Sequence, residues 1–358
     1  MAEKEERTEF EYTYTYDNFT VFFYGDRVYI GGTEYPIGQS VVDVMNLNDT
    51  YLLEINRRML DFVQAVQHTL EEDTDGSAQE TQENLAFALE LVAELPVYRD
   101  LNIDWGASLH IIQVVRSDEE FWRQIKRPET KERIAFDETI RRIISVGEQL
   151  RLFRKQVSLM LEGYFEPLNR RNEDAYAEGY FKFCCDMVDL SDQNHGADIN
   201  QSFPVEVNFV PMLAPSGSGK IILAERARFS ELLDFLEVEF YRGLAMGNAP
   251  RRCHNCGRYF LLTSGYNICY CNNIAPSETV RTCRKVGAHR KEAQGKGNRT
   301  PAQKEYDRTY NRLKGRKQRG KISKDEWNTA VAKAQELVAQ SERGELSDDE
   351  LKQKLEEL

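Results

Sequence analysis

Five of the seven cysteines fall in one short stretch of the chain, and their spacing is typical of a metal site. Cys253 and Cys256 form a Cys-x-x-Cys pair that is followed directly by Gly257, which is the form of a zinc knuckle. The turn of a knuckle points backbone amides at the thiolate sulfurs, and glycine accepts the positive φ that such a turn can require. A tetrahedral site needs a second pair, for which Cys271 and Cys283 are our choice. The predicted chemistry is one structural Zn²⁺ held by four thiolates.

Other ligand sets and other chemistries fit this segment less well. Cys269 competes with Cys271, because side chains two residues apart in an extended segment share a face. His254 lies inside the knuckle, where its geometry is poor, and His289 is a weaker substitute for the last cysteine. A catalytic zinc would keep a position open for water, and four thiolates leave none. A redox pair would open a helix, whereas residues 259–262 are predicted to form a strand.

The start of the chain bears on where these thiolates would stay reduced. Met1–Glu9 is acidic and polar, with neither the basic start nor the apolar stretch of a secretory signal. No apolar run reaches the roughly 18 residues that a membrane span needs. Clustered cysteines in a chain without a leader indicate thiolates held for metal in a reducing compartment. We therefore expect a cytoplasmic protein with no membrane partner.

The formal net charge of −12 hides a strong asymmetry along the 358 residues. Residues 1–250 carry a net charge of −21, residues 251–324 carry +15, and residues 325–358 carry −6. A strongly basic segment beside an acidic body indicates contact with a polyanion. The competing interpretation is that the basic segment docks on the acidic body of its own chain.

Basic side chains surround the last proposed ligand and continue on the helix that follows it. Those near the ligand are Arg281, Arg284, Lys285 and Arg290, and those on the helix are Lys304, Arg308, Arg312 and Arg316. The second group recurs every four residues, so it lines one face of the helix. A row of cations beside a rigid finger suits a phosphate backbone, so we expect residues 281–321 to contact DNA or RNA. A merely solvated helix face is the alternative.

The elements that must position these groups can be read from periodicity. Strands are predicted at 10–16, 20–24, 27–30 and 34–37, with Gly25-Asp26 as a hairpin turn, and at 205–212 and 220–229. Helices are predicted at about 49–70, 84–94, 107–115, 119–126, 136–164, 172–188 and 230–246, with residues 71–83 as an exposed loop. The result is an α+β fold, mainly α, with a small N-terminal antiparallel sheet and a further β-hairpin in the helical body.

Capping signals predict three helices after the cysteines. Thr300-Pro301 places a cap before a proline at the first helical position, and Ser323…Glu326 and Ser347…Glu350 fit the capping box. We expect three domains: an acidic body at 1–249, a four-cysteine finger at 250–292, and a helical tail at 293–358. The tail is basic over 293–324 and acidic over 325–358.

The cysteine segment resembles the C-terminal finger of an uncharacterised bacterial family from the domain-of-unknown-function class. The resemblance rests on Arg252-Cys253-x-x-Cys256-Gly257-Arg258-Tyr259-Phe260, Tyr270-Cys271, Thr282-Cys283-Arg284 and Gly287, and it covers roughly residues 250–325. That finger is similar to the CGNR zinc finger of bacterial proteins described as transcription regulators. Here Thr282-Cys283-Arg284-Lys285 replaces the Cys-Gly-Asn-Arg run. The resemblance implies zinc and suggests nucleic acid, and it carries no established activity.

No motif for catalysis stands out elsewhere. Residues 214–221 resemble a phosphate-binding loop, but Ala214 stands where glycine is required and Ile221 where a hydroxyl would hold Mg²⁺. A hairpin loop is the better interpretation, and the sequence leans against an enzyme. Our leading hypothesis is a zinc-containing nucleic-acid-binding protein, regulatory in role. The alternative is a protein-interaction or scaffold module in which zinc is purely structural and the basic tail pairs with an acidic surface, its own or a partner's. A protein partner of the acidic body is a further candidate.

Overall fold

The computed structural model describes residues 18–101, 103–194, 204–214, 219–263, 267–297 and 299–358. The fold is α+β and mainly α-helical, as predicted. The strands are β1 (Phe19–Tyr24), β2 (Arg27–Ile30), β3 (Thr33–Pro36), β4 (Val205–Leu213), β5 (Ile221–Phe229), β6 (Ala249–Arg252) and β7 (Tyr259–Leu262). The strand predicted at 10–16 lies outside the described residues. No described helix combines the length and the apolar composition needed to traverse a bilayer.

Periodicity predicted most of the helices of the body, but not the first one, at Gln39–Met45. They are α1 (Gln39–Met45), α2 (Asp49–Glu72), α3 (Asp75–Ala93), α4 (Trp105–Leu109), α5 (Ile111–Ser117), α6 (Glu119–Ile125), α7 (Lys131–Met160), α8 (Glu173–Asn194) and α9 (Leu232–Ala245). A π-helical turn, Leu161–Phe165, continues α7. After the cysteines come α10 (Cys283–Gly297), α11 (Pro301–Gln318), α12 (Lys324–Glu342) and α13 (Asp348–Glu356).

The exposed loop predicted at residues 71–83 is wrong. Helix α3 begins at Asp75, capped by Thr74, whose Oγ1 accepts a hydrogen bond from the backbone N–H of Ser77 at 3.1 Å. The first turns of α3 bury polar groups beside the small apolar side chain of Ala78. The hydroxyl of Thr69 on α2 donates to the carbonyl oxygen of Ser77 at 2.8 Å and lies 2.7 Å from that of Thr81, and all three residues are buried. Because these buried side chains are polar, the sequence of this segment lacks the periodic apolar residues that would have predicted a helix.

One sheet contains both groups of predicted strands. Its order is β3-β2-β1-β5-β4 and every neighbouring pair is antiparallel. The late hairpin joins the N-terminal strands because β5 pairs with β1, with Phe229 opposite Phe19. Strand β4 is the outermost of the five, and its Pro211 lies opposite Leu223 of β5. Since proline cannot donate within a ladder, its presence is compatible with the outermost of the described strands.

The chain divides into two compact units. The N-terminal unit comprises Met1–Cys253 and Gly257–Cys271, and the C-terminal unit comprises His254–Cys256 and Asn272–Leu358. The N-terminal core lies between the sheet and the helices, and its centre is aromatic. Phe235 of α9 meets Phe229 edge to face at 5.4 Å and stacks on Phe23 at 6.4 Å. Burial of such large rings is the main favourable contribution to folding in this unit.

The C-terminal unit contains a three-helix bundle of α11, α12 and α13. The three predicted caps are confirmed: Thr300, Ser323 and Ser347 each form a capping box with the residue three positions on. The bundle has a small core of buried residues at Ala302, Ala334, Leu337, Leu351 and Leu355. Short apolar side chains bring the helices close together but remove little surface from water.

Candidate metal centre and nucleic-acid interface

The four cysteines chosen from the sequence come together. The sulfur atoms of Cys253, Cys256, Cys271 and Cys283 all lie within 4.8 Å of one another, and three of the four residues are buried. A zinc ion held tetrahedrally at about 2.3 Å from each sulfur would place the sulfurs about 3.8 Å apart. The cluster therefore has the size and the ligand number of a closed, structural metal site.

The knuckle is built from the strands on either side of it. Strands β6 and β7 pair through Arg252 and Tyr259, so the chain between them must turn tightly. The turn is closed by hydrogen bonds from the backbone N–H of Cys253 to the Arg258 carbonyl at 2.8 Å and from Gly257 N–H to the Cys253 carbonyl at 2.9 Å. Gly257 has φ of +75°, the conformation for which glycine was expected.

Two sulfur atoms of the cluster accept hydrogen bonds from nearby amides. The backbone N–H of Cys271 lies 3.3 Å from the sulfur of Cys253. The side-chain amide of Asn255 donates to the sulfur of Cys283, also at 3.3 Å. Donors of this kind stabilise the negative charge of a metal-bound thiolate and fix its orientation. Asn255 was not predicted, although an amide inside a Cys-x-x-Cys turn is a signal that could have identified it.

The last ligand opens a helix. Helix α10 begins at Cys283, and the backbone N–H of that residue donates to the carbonyl of Asn273 at 2.8 Å. A β-bridge between Ile274 and Thr282 closes the loop just before it. The Thr282 hydroxyl then accepts from the backbone N–H of Lys285 at 3.4 Å, in the position of a helix N-cap. The sulfur of Cys283 is thus held by a helix end.

Cys269 is not part of the cluster. Its sulfur lies 3.5 Å from Nη2 of Arg251 and near Asn267, and the residue is partly exposed. Because it stands two positions before Cys271, the sequence left the two as competing ligands. The structure brings Cys271 to the other three cysteines.

The basic residues of the finger occupy different environments. Arg281 pairs with Glu278 at 2.5 Å, and Arg290 donates to the side-chain oxygen of Asn255 at 2.9 Å. Arg284 and Lys285 are exposed in the first turn of α10. Ala288 and His289 are exposed one turn further on. In a helix these four positions share one side, which is opposite to Cys283, so α10 presents a basic face to solvent.

The row of cations on α11 is only partly free for a ligand. Arg312 donates to the backbone carbonyl of Leu355 at 2.6 Å, and Arg316 donates to that of Leu358 at 3.0 Å. Both bonds satisfy carbonyl groups at the C-terminal end of the chain, next to the last turn of α13. Arg308 pairs with Glu305 on its own helix at 2.5 Å. Lys304 is exposed and lines a depression with Asp348 and Asp349.

Three carboxyl groups with raised pKa values lie on α9, away from the predicted sites in sequence. Burial raises the pKa of Glu239 to about 7, although its Oε1 accepts hydrogen bonds from the backbone N–H groups of Gly38 at 2.9 Å and Ser40 at 3.4 Å. Burial likewise raises the pKa of Asp234 to about 6 and that of Glu237 to about 7. Glu239 thereby fixes the start of α1 from inside the core.

Comparison with known proteins bears on the C-terminal part of the chain. Neither the curated proteins nor the solved structures gave a match. The likeness of the cysteine segment to the CGNR finger therefore stays a prediction. A family model does match from β4 to the end of the chain, and this supports the uncharacterised domain that the resemblance implied. Residues 200–358 match a family of unknown function, DUF6076.

Proposed function

We propose that this chain is a zinc-containing nucleic-acid-binding protein whose four-cysteine finger carries a DNA- or RNA-binding helix. One structural Zn²⁺ would be held by Cys253, Cys256, Cys271 and Cys283. Zinc is the metal that suits a closed set of four thiolates at tetrahedral spacing. A reducing compartment such as the cytoplasm would keep these thiolates available to the ion.

A single observation supports nucleic-acid contact most directly, and it is the basic face of α10. Arg284, Lys285 and His289 are exposed on a helix that starts at a metal ligand. The bond from Arg290 to Asn255 ties the same helix to the knuckle. Cations held on a rigid helix lose little freedom when they bind phosphates, and each neutralised phosphate releases counterions. The net charge of +15 over residues 251–324 extends the attraction around this face.

The test is a fluorescence-anisotropy titration of the full chain, loaded with zinc, with a DNA duplex and with single-stranded RNA. We expect binding at about 50 mM salt that weakens steeply by about 200 mM. The double variant Arg284→Ala/Lys285→Ala should lower affinity and reduce the salt slope by about 2, since each phosphate contact contributes about 1.

A charge-matched control distinguishes the effect of the basic face of α10 from the effect of the net charge of the whole chain. Lys155 and Lys182 are exposed on α7 and α8, and the variant Lys155→Ala/Lys182→Ala changes the net charge equally. It should leave the affinity and the salt slope unchanged. Absence of binding to either nucleic acid at low salt would overturn the proposal. So would equal losses in the two double variants.

A second candidate function, protein interaction, is favoured by the far end of the β4–β5 hairpin. Phe209, Leu213, Ile221 and Leu223 share one face there, and each side chain is more than half exposed. Clustered exposed apolar side chains mark interaction surfaces. This reading agrees with a protein partner for the acidic body, and the metal would then be purely structural. It predicts no nucleic-acid binding in the titration above.

A further inference from the structure

Two arginines are buried side by side in the N-terminal unit. Arg171 lies just before α8 and Arg251 lies on β6, and each side chain is only 3% exposed. They are 80 positions apart in the sequence, so no local pattern predicts the pair. A guanidinium group stays charged at every physiological pH, and its burial is costly unless anions and acceptors surround it.

The acceptors around the pair are too few for two positive charges. Glu166, which directly follows the π-helical turn, is the carboxylate they share: Oε1 lies 3.2 Å from Arg251 Nη2, and Oε2 lies 3.6 Å from Arg171 Nη2. The remaining contacts are neutral. Arg171 donates to the backbone carbonyl of Glu166 at 2.8 Å, and Arg251 donates to Asn267 at 2.5 Å and contacts the Cys269 sulfur.

Among the residues that the structure describes, three buried donor atoms at this place have no hydrogen-bond partner. They are the Nε groups of Arg171 and Arg251 and the hydroxyl of Tyr176, and all three atoms are buried. Tyr176 is 1% exposed. Burial and the neighbouring charge of Arg251 lower the pKa of Arg171, which reflects the same excess of positive charge. A buried donor without an acceptor is destabilising, so a group that supplies acceptors and one negative charge would relieve the site.

We propose that Arg171, Arg251 and Tyr176 form a binding site for a small protonated oxyanion of the phosphate class. Its oxygens would accept from the two Nε–H groups and the tyrosine hydroxyl. Its single negative charge would balance the second guanidinium, which Glu166 leaves uncompensated. Guanidinium groups suit this role because their N–H groups lie in one plane and match the spacing of oxyanion oxygens.

Glu166 determines which oxyanion fits. A carboxylate beside the anion repels a fully deprotonated ligand, but it accepts a hydrogen bond from one that still carries a proton. Phosphate keeps such a proton near neutral pH, and sulfate has none. The site therefore favours phosphate over sulfate, because sulfate would leave the carboxylate facing a negative charge without a donor.

The residues that surround the pair are partly exposed to solvent. The Glu166 side chain is 41% exposed, Asn267 is exposed and Cys269 is partly exposed. The phosphate could be the free inorganic ion or the phosphate group of a larger molecule. Both share the same chemistry, and the experiment separates them. The inference does not depend on the nucleic-acid contact proposed for α10.

The test is isothermal titration of the full, metal-loaded chain with inorganic phosphate and with sulfate at equal ionic strength near neutral pH. We expect phosphate to bind and sulfate to bind at least about tenfold more weakly. In Glu166→Gln the amide can donate to sulfate, so the preference should fall by about tenfold or more. Gln keeps an acceptor for the arginines, and the residue is partly exposed, so this variant should fold.

The matched control is Glu162→Gln. Glu162 lies one turn earlier, is 62% exposed and pairs with Arg252 at 3.6 Å, so its loss should leave the phosphate preference unchanged. Glycerol phosphate serves as the third ligand: binding equal to that of inorganic phosphate would assign the site to a phosphate ester, and much weaker binding would assign it to the free ion. No phosphate binding by the unmodified chain would overturn the proposal, as would an unchanged preference in Glu166→Gln.

Discussion

The two units of this protein differ in what holds them together. The N-terminal unit has an extended hydrophobic core in which aromatic rings from the sheet and α9 contact one another. The described core of the C-terminal bundle is smaller: alanine and leucine occupy its buried positions, and Tyr306 packs against them. This unit also contains Cys256 and Cys283, two of the four cysteines that a metal can bind. Small units bury too little surface to fold on packing alone, and metal ions commonly make up the difference.

Arginines pair with acidic residues one turn away in both units, and the basic segment of the C-terminal unit also contains cations in two other environments. On the helices of the N-terminal unit, arginines pair with acidic residues one turn away, such as Arg57 with Glu54 and Arg151 with Glu148 at 2.6 Å. In the C-terminal unit, Arg312 and Arg316 bind backbone carbonyls, while Arg284 and Lys285 face solvent. A basic segment can therefore contain both cations with structural hydrogen bonds and cations that are exposed to solvent. The spacing of these residues in the sequence does not distinguish the two kinds.

Removing the metal is the strongest test of the first difference. Cys271→Ser should abolish metal binding and unfold the finger, because structural zinc contributes about 10 kcal/mol or more to the folding of such sites. Cys269→Ser should retain one zinc per chain. Metal analysis gives the stoichiometry, and amide hydrogen exchange should show lost protection around residues 253–283 with α2 and α7 still protected. Retention of zinc by the Cys271 variant together with its loss from the Cys269 variant would reverse our ligand assignment.

The buried carboxyl group of Glu239 allows a test of whether the core of the N-terminal unit tolerates a negative charge. Its pKa is raised to about 7, so between about pH 4.5 and 7 the folded state keeps a proton that the unfolded state loses. Stability from this group therefore falls as the pH rises, by about 3 kcal/mol in all. Glu239→Gln keeps an acceptor for Gly38 and Ser40 and cannot ionise.

We therefore expect Glu239→Gln to gain stability relative to the unmodified chain as the pH increases. Asp234 and Glu237 are present in both proteins, so their titration cancels from the difference to first order. Urea unfolding at about pH 5 and about pH 8 measures that difference. Parallel pH profiles would show that the carboxyl is already neutralised in some other way.

The smallest expected effect comes from comparing two arginines on α11, one with a structural hydrogen bond and one that is exposed to solvent. Arg312→Ala removes the donor to the Leu355 carbonyl and should destabilise α13 by about 1 kcal/mol. Arg308→Ala is the control, because its side chain is 73% exposed and surface pairs contribute little. Hydrogen exchange of the α13 amides reports the change. Equal protection in the two variants would mean that the Arg312 contact contributes nothing to the bundle.

Local signals in the sequence were enough for many elements. Alternation predicted β1, β2 and the β4–β5 hairpin, and capping residues predicted α11, α12 and α13. They failed where the stabilising contacts are polar or distant. Helix α3 packs through Thr69, Ser77 and Thr81, which carry no apolar period. The pairing of β5 with β1 joins residues about 200 positions apart, and no short-range pattern specifies it.

The candidate site shows the same limit. Cysteine spacing and the glycine that follows it predicted the cluster, because knuckle geometry is local. The four-residue spacing of Arg312 and Arg316 correctly placed both on one face of α11. The carbonyl groups that they bind, near the end of the chain, lie more than 40 positions away. No local sequence pattern could therefore predict the structural role of the two arginines. The proximity of Arg171 and Arg251 could not be predicted either, because these residues are also far apart in the sequence.

Pro211 on β4 has a consequence for the protein at high concentration. A strand from a second molecule that added beside β4 would meet a position without an N–H near the C-terminal end of the strand, and the new ladder would lose one bond there. The exposed apolar face of the hairpin would otherwise favour cross-β aggregation at this strand. Pro211 thus disfavours self-association through β4 at high protein concentration.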